Sequence, residues 1–226
     1  MTSVRCKGMA EKSVNNEKGR MGQVRKEFLM HMYDQMFNDI NTHILVVWQS
    51  VGVVIGAFAL FSLVQKDILP LDIAVALIVV IVLWLLAHLE DAGYWYNRNL
   101  AIIANIERQF LRKEDLQNIH YYFGKHRGKN IMLTHLKIQY AFGVSIILLM
   151  LLYHFLNRIV PGLGAPWRNF EPERGLPYLF VVCGSIYVLY LRKKMKKKYS
   201  EFIQNSPGID VDTNKVEYGE GHPTGE

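Results

Sequence analysis

Apolar residues in this chain gather in long uncharged runs. They do not alternate with polar ones as in a half-exposed strand, nor recur every third or fourth position as on a water-facing helix. Between Asp39 and Lys66 lie 26 residues without Asp, Glu, Lys or Arg, and Ile73 to Ala87 is 15 consecutive apolar residues. A further 20 uncharged residues separate Lys137 from Arg158, and 17 separate Arg174 from Arg192. A bilayer core of about 30 Å is crossed by roughly 20 apolar helical residues. Unpaired backbone groups are too costly in hydrocarbon for any other open structure. The pattern therefore predicts an all-α polytopic membrane protein with four transmembrane helices, at 44–64, 71–89, 138–156 and 176–191. Pro70 directly precedes the second span, where a missing N–H costs little.

The polar stretches divide the rest. Residues 1–23 read as a disordered arm, 24–199 as the membrane domain and 200–226 as a disordered tail. Phe28, Tyr33, Met36, Phe37 and Ile40 recur at helical spacing and predict an amphipathic helix leading into span one, packed on the polar region between spans two and three. In that region, 91–137, no Pro interrupts the chain. His88, Glu90 and Asp91 stand where acidic groups would oppose the dipole of a helix that ended there. The second span is thus expected to continue to about Arg112 and to form a helical hairpin with a short helix at 116–123 and a basic loop at 124–130. The 158–175 loop, with three Pro, is expected to be irregular, and Trp167 and Tyr178 suit a membrane interface.

Charge sets the expected orientation. Of 26 Lys and Arg, seven precede His43, eight lie in 91–137 and seven follow Leu191, against one in 65–70 and three in 158–175. Positive charge is retained on the cytoplasmic side. Both termini and the hairpin are therefore expected in the cytoplasm, as in a multi-pass protein of a bacterial inner membrane. The first 20 residues lack the apolar core of a cleavable signal, so span one reads as an uncleaved anchor. The run Arg192, Lys193, Lys194, Lys196, Lys197 and Lys198 follows span four directly. It reads as a topology anchor that also touches anionic lipid headgroups, not as a nucleic-acid site. Cys6 and Cys183 are not expected to pair.

Candidate chemistry is sparse. His88, Asp91, Tyr94, Trp95 and Arg98 share a helical face by spacing, with Glu90 adjacent and Gln49 at similar depth in span one. They form a candidate polar site at the cytoplasmic mouth; the plainer alternative is an interfacial belt of aromatics with an Asp–Arg pair. His154 lies towards the other membrane face and stands apart. Gly52 and Gly56 form a small-residue motif that lets helices approach closely, within the chain or between copies. No metal-ligand spacing, nucleophile elbow or phosphate loop is present, so no metal, cofactor or catalytic residue is assigned. His120, His126 and His135 with Asp115 have irregular spacing. The reading that follows is an integral membrane interaction or signalling module whose cytoplasmic hairpin engages a partner, either a second copy of the chain in a homo-oligomer or another protein. The alternatives are an oligomeric pore or ion-conducting effector, for instance in stress or phage defence, and a membrane enzyme acting on lipid headgroups through His88, Glu90 and Asp91.

Overall fold

A computed structural model describes residues 2–107, 110, 129–164 and 171–205, with side chains from residue 22 onward. Among them there is no strand. Five α-helices follow in order: α1 (Thr2–Ala57), α2 (Leu60–Gln65), α3 (Leu71–Glu107), α4 (Thr134–His154) and α5 (Leu176–Gln204). A π turn over Phe155–Ile159 and two 3-10 turns, Val160–Gly164 and Pro172–Gly175, fill the connection between α4 and α5. Four stretches, Gly22–Gln65, Leu71–Glu107, Thr134–Gly164 and Pro172–Gln204, are long and apolar enough to cross a membrane.

The helices run past the ends of the apolar spans. α1 begins within the residues read from sequence as a disordered arm, and α5 continues through the basic run to Gln204. α3 reaches Glu107, 37 residues from its start. The end expected near Arg112, most of the hairpin (111–128), Trp167 and the tail from 206 lie outside the described residues.

α3 is the core of the molecule. Buried side chains recur along it from Asp72 to Ile106, because α1, α4 and α5 all pack on it and hardly on one another. The α1 seam follows a seven-residue rhythm: Ile40, Val47 and Val54 are buried, with Ser50 and Ala57 between turns. That is the spacing at which one helix stripe stays on a partner over several turns. Tyr33, Met36 and Phe37 extend the seam along α3 beyond the apolar span, as the amphipathic pattern implies. Phe28 does not join it and is 66% exposed. On the other side Met195, Tyr199 and Ile203 of α5 cluster with Tyr94 and Ala101 of α3. The polar end of the bundle, called here the basic end, is therefore a packed three-helix stalk of α1, α3 and α5.

Two glycines stand directly against side chains of α3, and neither belongs to the Gly52–Gly56 motif. A Cβ on Gly143 would lie 2.8 Å from Leu86 Cδ2, and one on Gly184 would overlap Leu83 Cδ1. A Cβ on Gly52 or Gly56 would meet nothing within 4 Å. Within the chain these two face outward, because they lie off the Ile40–Val47–Val54 seam.

Asn97 ties the returning chain to α3. The Nδ2 of its buried amide lies 2.7 Å from Gly93 O, 2.8 Å from Asn130 Oδ1 and 2.9 Å from Ile131 O, three acceptors sharing two N–H groups. Two of those acceptors belong to the segment that enters α4. The register of the polar connection is thus fixed on α3 before α4 begins.

Candidate functional site

At the basic end, Trp84, His88, Asp91, Trp95 and Arg98 form one stripe of α3, spaced alternately four and three residues apart. Trp84 stacks on His88 with ring centroids 6.0 Å apart. The stripe borders an open groove of about 450 Å³ between α3 and α5. Trp84, Ala87, Gly184, Tyr187 and Leu191 make its apolar walls, and His88 and Asp91 stand at its end nearest the stalk.

One turn beyond the groove the surface becomes aromatic and cationic. Lys198 Nζ of α5 lies 4.6 Å from the Tyr94 ring centre and 5.4 Å from that of Trp95. Arg98 Cζ lies 5.2 Å from the Trp95 centre and 5.8 Å from that of Phe202. His43 of α1 stacks near Trp95 at 6.2 Å. Cation–ring contacts of this kind are worth about 0.5–1 kcal/mol at exposed sites. They hold both cations beside one indole without an acidic partner in the contact.

The structure brings together Tyr94, Trp95, Arg98 and Lys198, with His88 and Asp91 just below them. Glu90 leaves the group: its buried carboxylate faces α5, with Arg192 Nε 3.7 Å away. The trio His88, Glu90 and Asp91 is therefore not assembled on one surface. Gln49 also stays apart. It is exposed on α1, while its neighbour Ser50 turns inward and donates to Val46 O at 2.9 Å. All six cations of the basic run are exposed. Lys197 pairs with Glu201 at 3.6 Å, and Met195 and Tyr199 carry the buried face of that helix stretch. Among the described residues no three His, Cys, Asp or Glu side chains are grouped to hold a metal ion.

A second polar cluster, at the opposite end, is absent from the sequence-derived site. Asp72, two residues into α3, is 1% exposed, and His154 at the end of α4 is fully buried. His154 Nε2 lies 2.8 Å from Asp72 Oδ1, and His154 Nδ1 lies 3.2 Å from the Tyr178 hydroxyl. The tautomer that satisfies all three groups has Nε2–H donating to the carboxylate and Nδ1 accepting from the phenol. Arg158 donates to Asp72 from Nε at 3.1 and 3.2 Å and from Nη2 at 2.7 Å. Its Nη2 also reaches Glu171 at 2.9 Å, and Arg174 Nε donates to the same Glu171 oxygen at 2.9 Å. Arg174 beside it, with Arg158, holds the Glu171 carboxyl below its usual range. The helix dipole also favours an acid at the first turn of α3. Asp72 thereby joins the start of α3, the end of α4 and the loop into α5. The signal in the sequence was an acid at the edge of an apolar run, and a His and an Arg spaced four apart at the end of span three.

In the stalk, the Tyr33 hydroxyl donates to Glu107 Oε1 at 3.2 Å, tying α1 to the far end of α3. Burial pushes the Tyr33 phenol up to about 12, helped by the Glu107 charge. Burial also raises the Glu107 carboxyl, against the lowering effect of the Tyr33 bond.

Comparison with protein-family models, with curated proteins and with solved structures finds no match.

Proposed function

We propose that this chain is a multi-pass membrane protein, with both termini in the cytoplasm, that acts as an interaction or signalling module. Its cytoplasmic stalk and the 91–137 segment engage a protein partner. The supporting observation is continuity. α1, α3 and α5 pass without interruption from apolar, membrane-length segments into a packed polar-end bundle, with α3 buried to Ile106. A displacement at either end of such a rod is carried to the other through packed side chains. Val24 and Phe28, one turn apart on α1, are 59% and 66% exposed and offer the stalk an apolar contact for that partner. This orientation would place 22 of the 26 Lys and Arg on the cytoplasmic side, and that bias in the sequence supports it.

The test is site-specific photo-crosslinking in cells at Phe28, with Leu163 at the other end as control. A discrete protein adduct at Phe28, lost on Val24→Asp, is expected. Only lipid adducts at both positions would refute the reading.

An oligomeric pore is the second reading. It is favoured by the outward display of Gln49, Gly52 and Gly56, a face suited to a neighbouring copy. Inside one chain a path is opposed by Ile73–Ala87, 15 apolar residues covering about 22 Å of α3 between its polar ends. A conducting route would have to lie between copies. Ion flux from vesicles carrying the purified chain, above that of empty vesicles, would favour this reading over the first.

A further inference from the structure

Resting on the membrane reading above, we propose that the seam between α3 and α5 holds one anionic glycerophospholipid, with an acyl chain in the Trp84–Tyr187 groove and the phosphodiester between Arg98 and Lys198. This goes beyond the general attraction of a basic run to a charged surface, because it names one seat built by two helices.

The seam has the polarity order of a phospholipid. From Leu83 to Asp91 the groove follows about 12 Å of α3, and its walls are apolar apart from His88 and Asp91 at one end. Gly184 keeps it open on the α5 side, since a side chain there would overlap Leu83. Leu83 and Trp84 are the deep end and Leu191 the shallow end, so a chain entering from the stalk side runs towards the membrane centre.

The cations stand where the headgroup would be. Arg98 and Lys198 come from different helices and meet at the same indole, 5.2 and 5.4 Å from its centre. Neither has a carboxylate within ion-pair distance among the described residues, unlike Lys197, which is bound to Glu201. Two cations from different helices held at one indole, with no carboxylate at either among the described residues, match one phosphodiester. The nearby acids do not compete for the seat. Glu90 is turned to Arg192. Asp91 lies seven residues before Arg98, about 10 Å along the helix, at the neck of the groove. Trp95, beneath the two cations, supplies the amphipathic ring that settles at headgroup depth.

The experiment uses the full-length chain in phosphatidylcholine vesicles. Of its four Trp, Trp48 and Trp167 are replaced by Phe, leaving Trp84 and Trp95 on the seam as reporters. Phosphatidylglycerol with brominated acyl chains, which quench indole fluorescence on contact, is compared with brominated phosphatidylcholine at equal low mole fraction. A preference of roughly 25-fold for the anionic lipid is expected, about five-fold from each of the two cations. It should fall about five-fold per charge removed, in Arg98→Gln and Lys198→Gln, and reach parity in the double variant. Lys193→Gln with Lys197→Gln removes the same charge from the run outside the seat and should keep most of the preference. Ala87→Phe fills the groove with the charges intact and should also lower it, which keeps the test open if the double variant does not fold. No preference for the anionic lipid, equal loss in both charge-removal pairs, or an undiminished preference in Ala87→Phe would overturn the proposal. Abolition of the preference by millimolar glycerol phosphate would overturn it too, by assigning the cations to a soluble phosphate.

Discussion

Replacing Asp72 by Ala tests whether the cluster at the far end locks the helices together. The carboxylate is 1% exposed and accepts from His154 at 2.8 Å and from Arg158 at 2.7 to 3.2 Å. Removing one partner of a buried ion pair costs about 3–5 kcal/mol, most of it from the charge left behind. Arg158 is 33% exposed and keeps Glu171, so its share is screened and the low end of that range applies. His154 is fully buried, and its stranded Nε2–H adds about 1–3 kcal/mol. About 4 kcal/mol, the low ends of the two ranges together, is therefore expected for Asp72→Ala, and on the order of 1 kcal/mol for Asp72→Asn, which keeps an acceptor for His154. Arg158→Ala should cost less than Asp72→Ala, because water reaches the site it vacates. Unfolding in mixed micelles by titration with sodium dodecyl sulfate, followed by intrinsic fluorescence, measures each. If Asp72→Ala unfolds within about 0.5 kcal/mol of the parent, the cluster is not a structural lock and the reasoning fails.

The stalk gives a pH prediction with a defined sign. Glu107 has a raised folded pKa, so its ionisation destabilises the fold as pH rises above the ordinary carboxyl value near 4.5. Glu107→Gln should remove that dependence and stabilise the stalk at neutral pH, read by amide exchange of residues 33–37. Tyr33, pushed up to about 12, should contribute fully below pH 10 and lose its contribution as pH climbs towards 12, a loss that Tyr33→Phe abolishes. Gly143→Leu forces a side chain against Leu86 and should cost about 1–3 kcal/mol in the micelle titration. Gly52→Ala should leave monomer stability unchanged; a change in oligomeric state in detergent would instead assign that face to a second copy. Reporters fused at both termini should report one compartment, and one inserted near Gly164 the other; opposite compartments for the termini would exclude the proposed topology.

The four long apolar helices were legible because an uncharged run of that length has few other uses, and the α1 seam because Tyr33, Met36, Phe37 and Ile40 keep helical phase. Phe28 shares that phase but lies three turns before Ile40, beyond the packing seam. The Tyr94–Trp95–Arg98 face was readable from spacing. Its partner Lys198 was not, because spacing along one helix says nothing about which helix lies alongside. The same limit hid the Asp72–His154–Arg158 cluster, whose acid lies over 80 positions from its His and Arg. Gln49 matched Glu90 and Asp91 in depth but not in azimuth: two residues past buried Val47, it points the opposite way. Gly143 and Gly184 escaped because each is a solitary glycine, whereas the paired Gly52 and Gly56 drew notice and border open space.

The placement of α3 at the centre has a consequence for biosynthesis. Chains are made from the amino end, so α3 emerges when only α1 exists to cover it. Asp72 then waits without His154 and Arg158, about 80 residues still to be translated, at the edge of an otherwise apolar segment. Completion of the loop before α5 supplies the missing countercharges and closes the assembly, so a ribosome that stalls near residue 150 leaves a nascent helix that quality control can recognise by its unpaired acid.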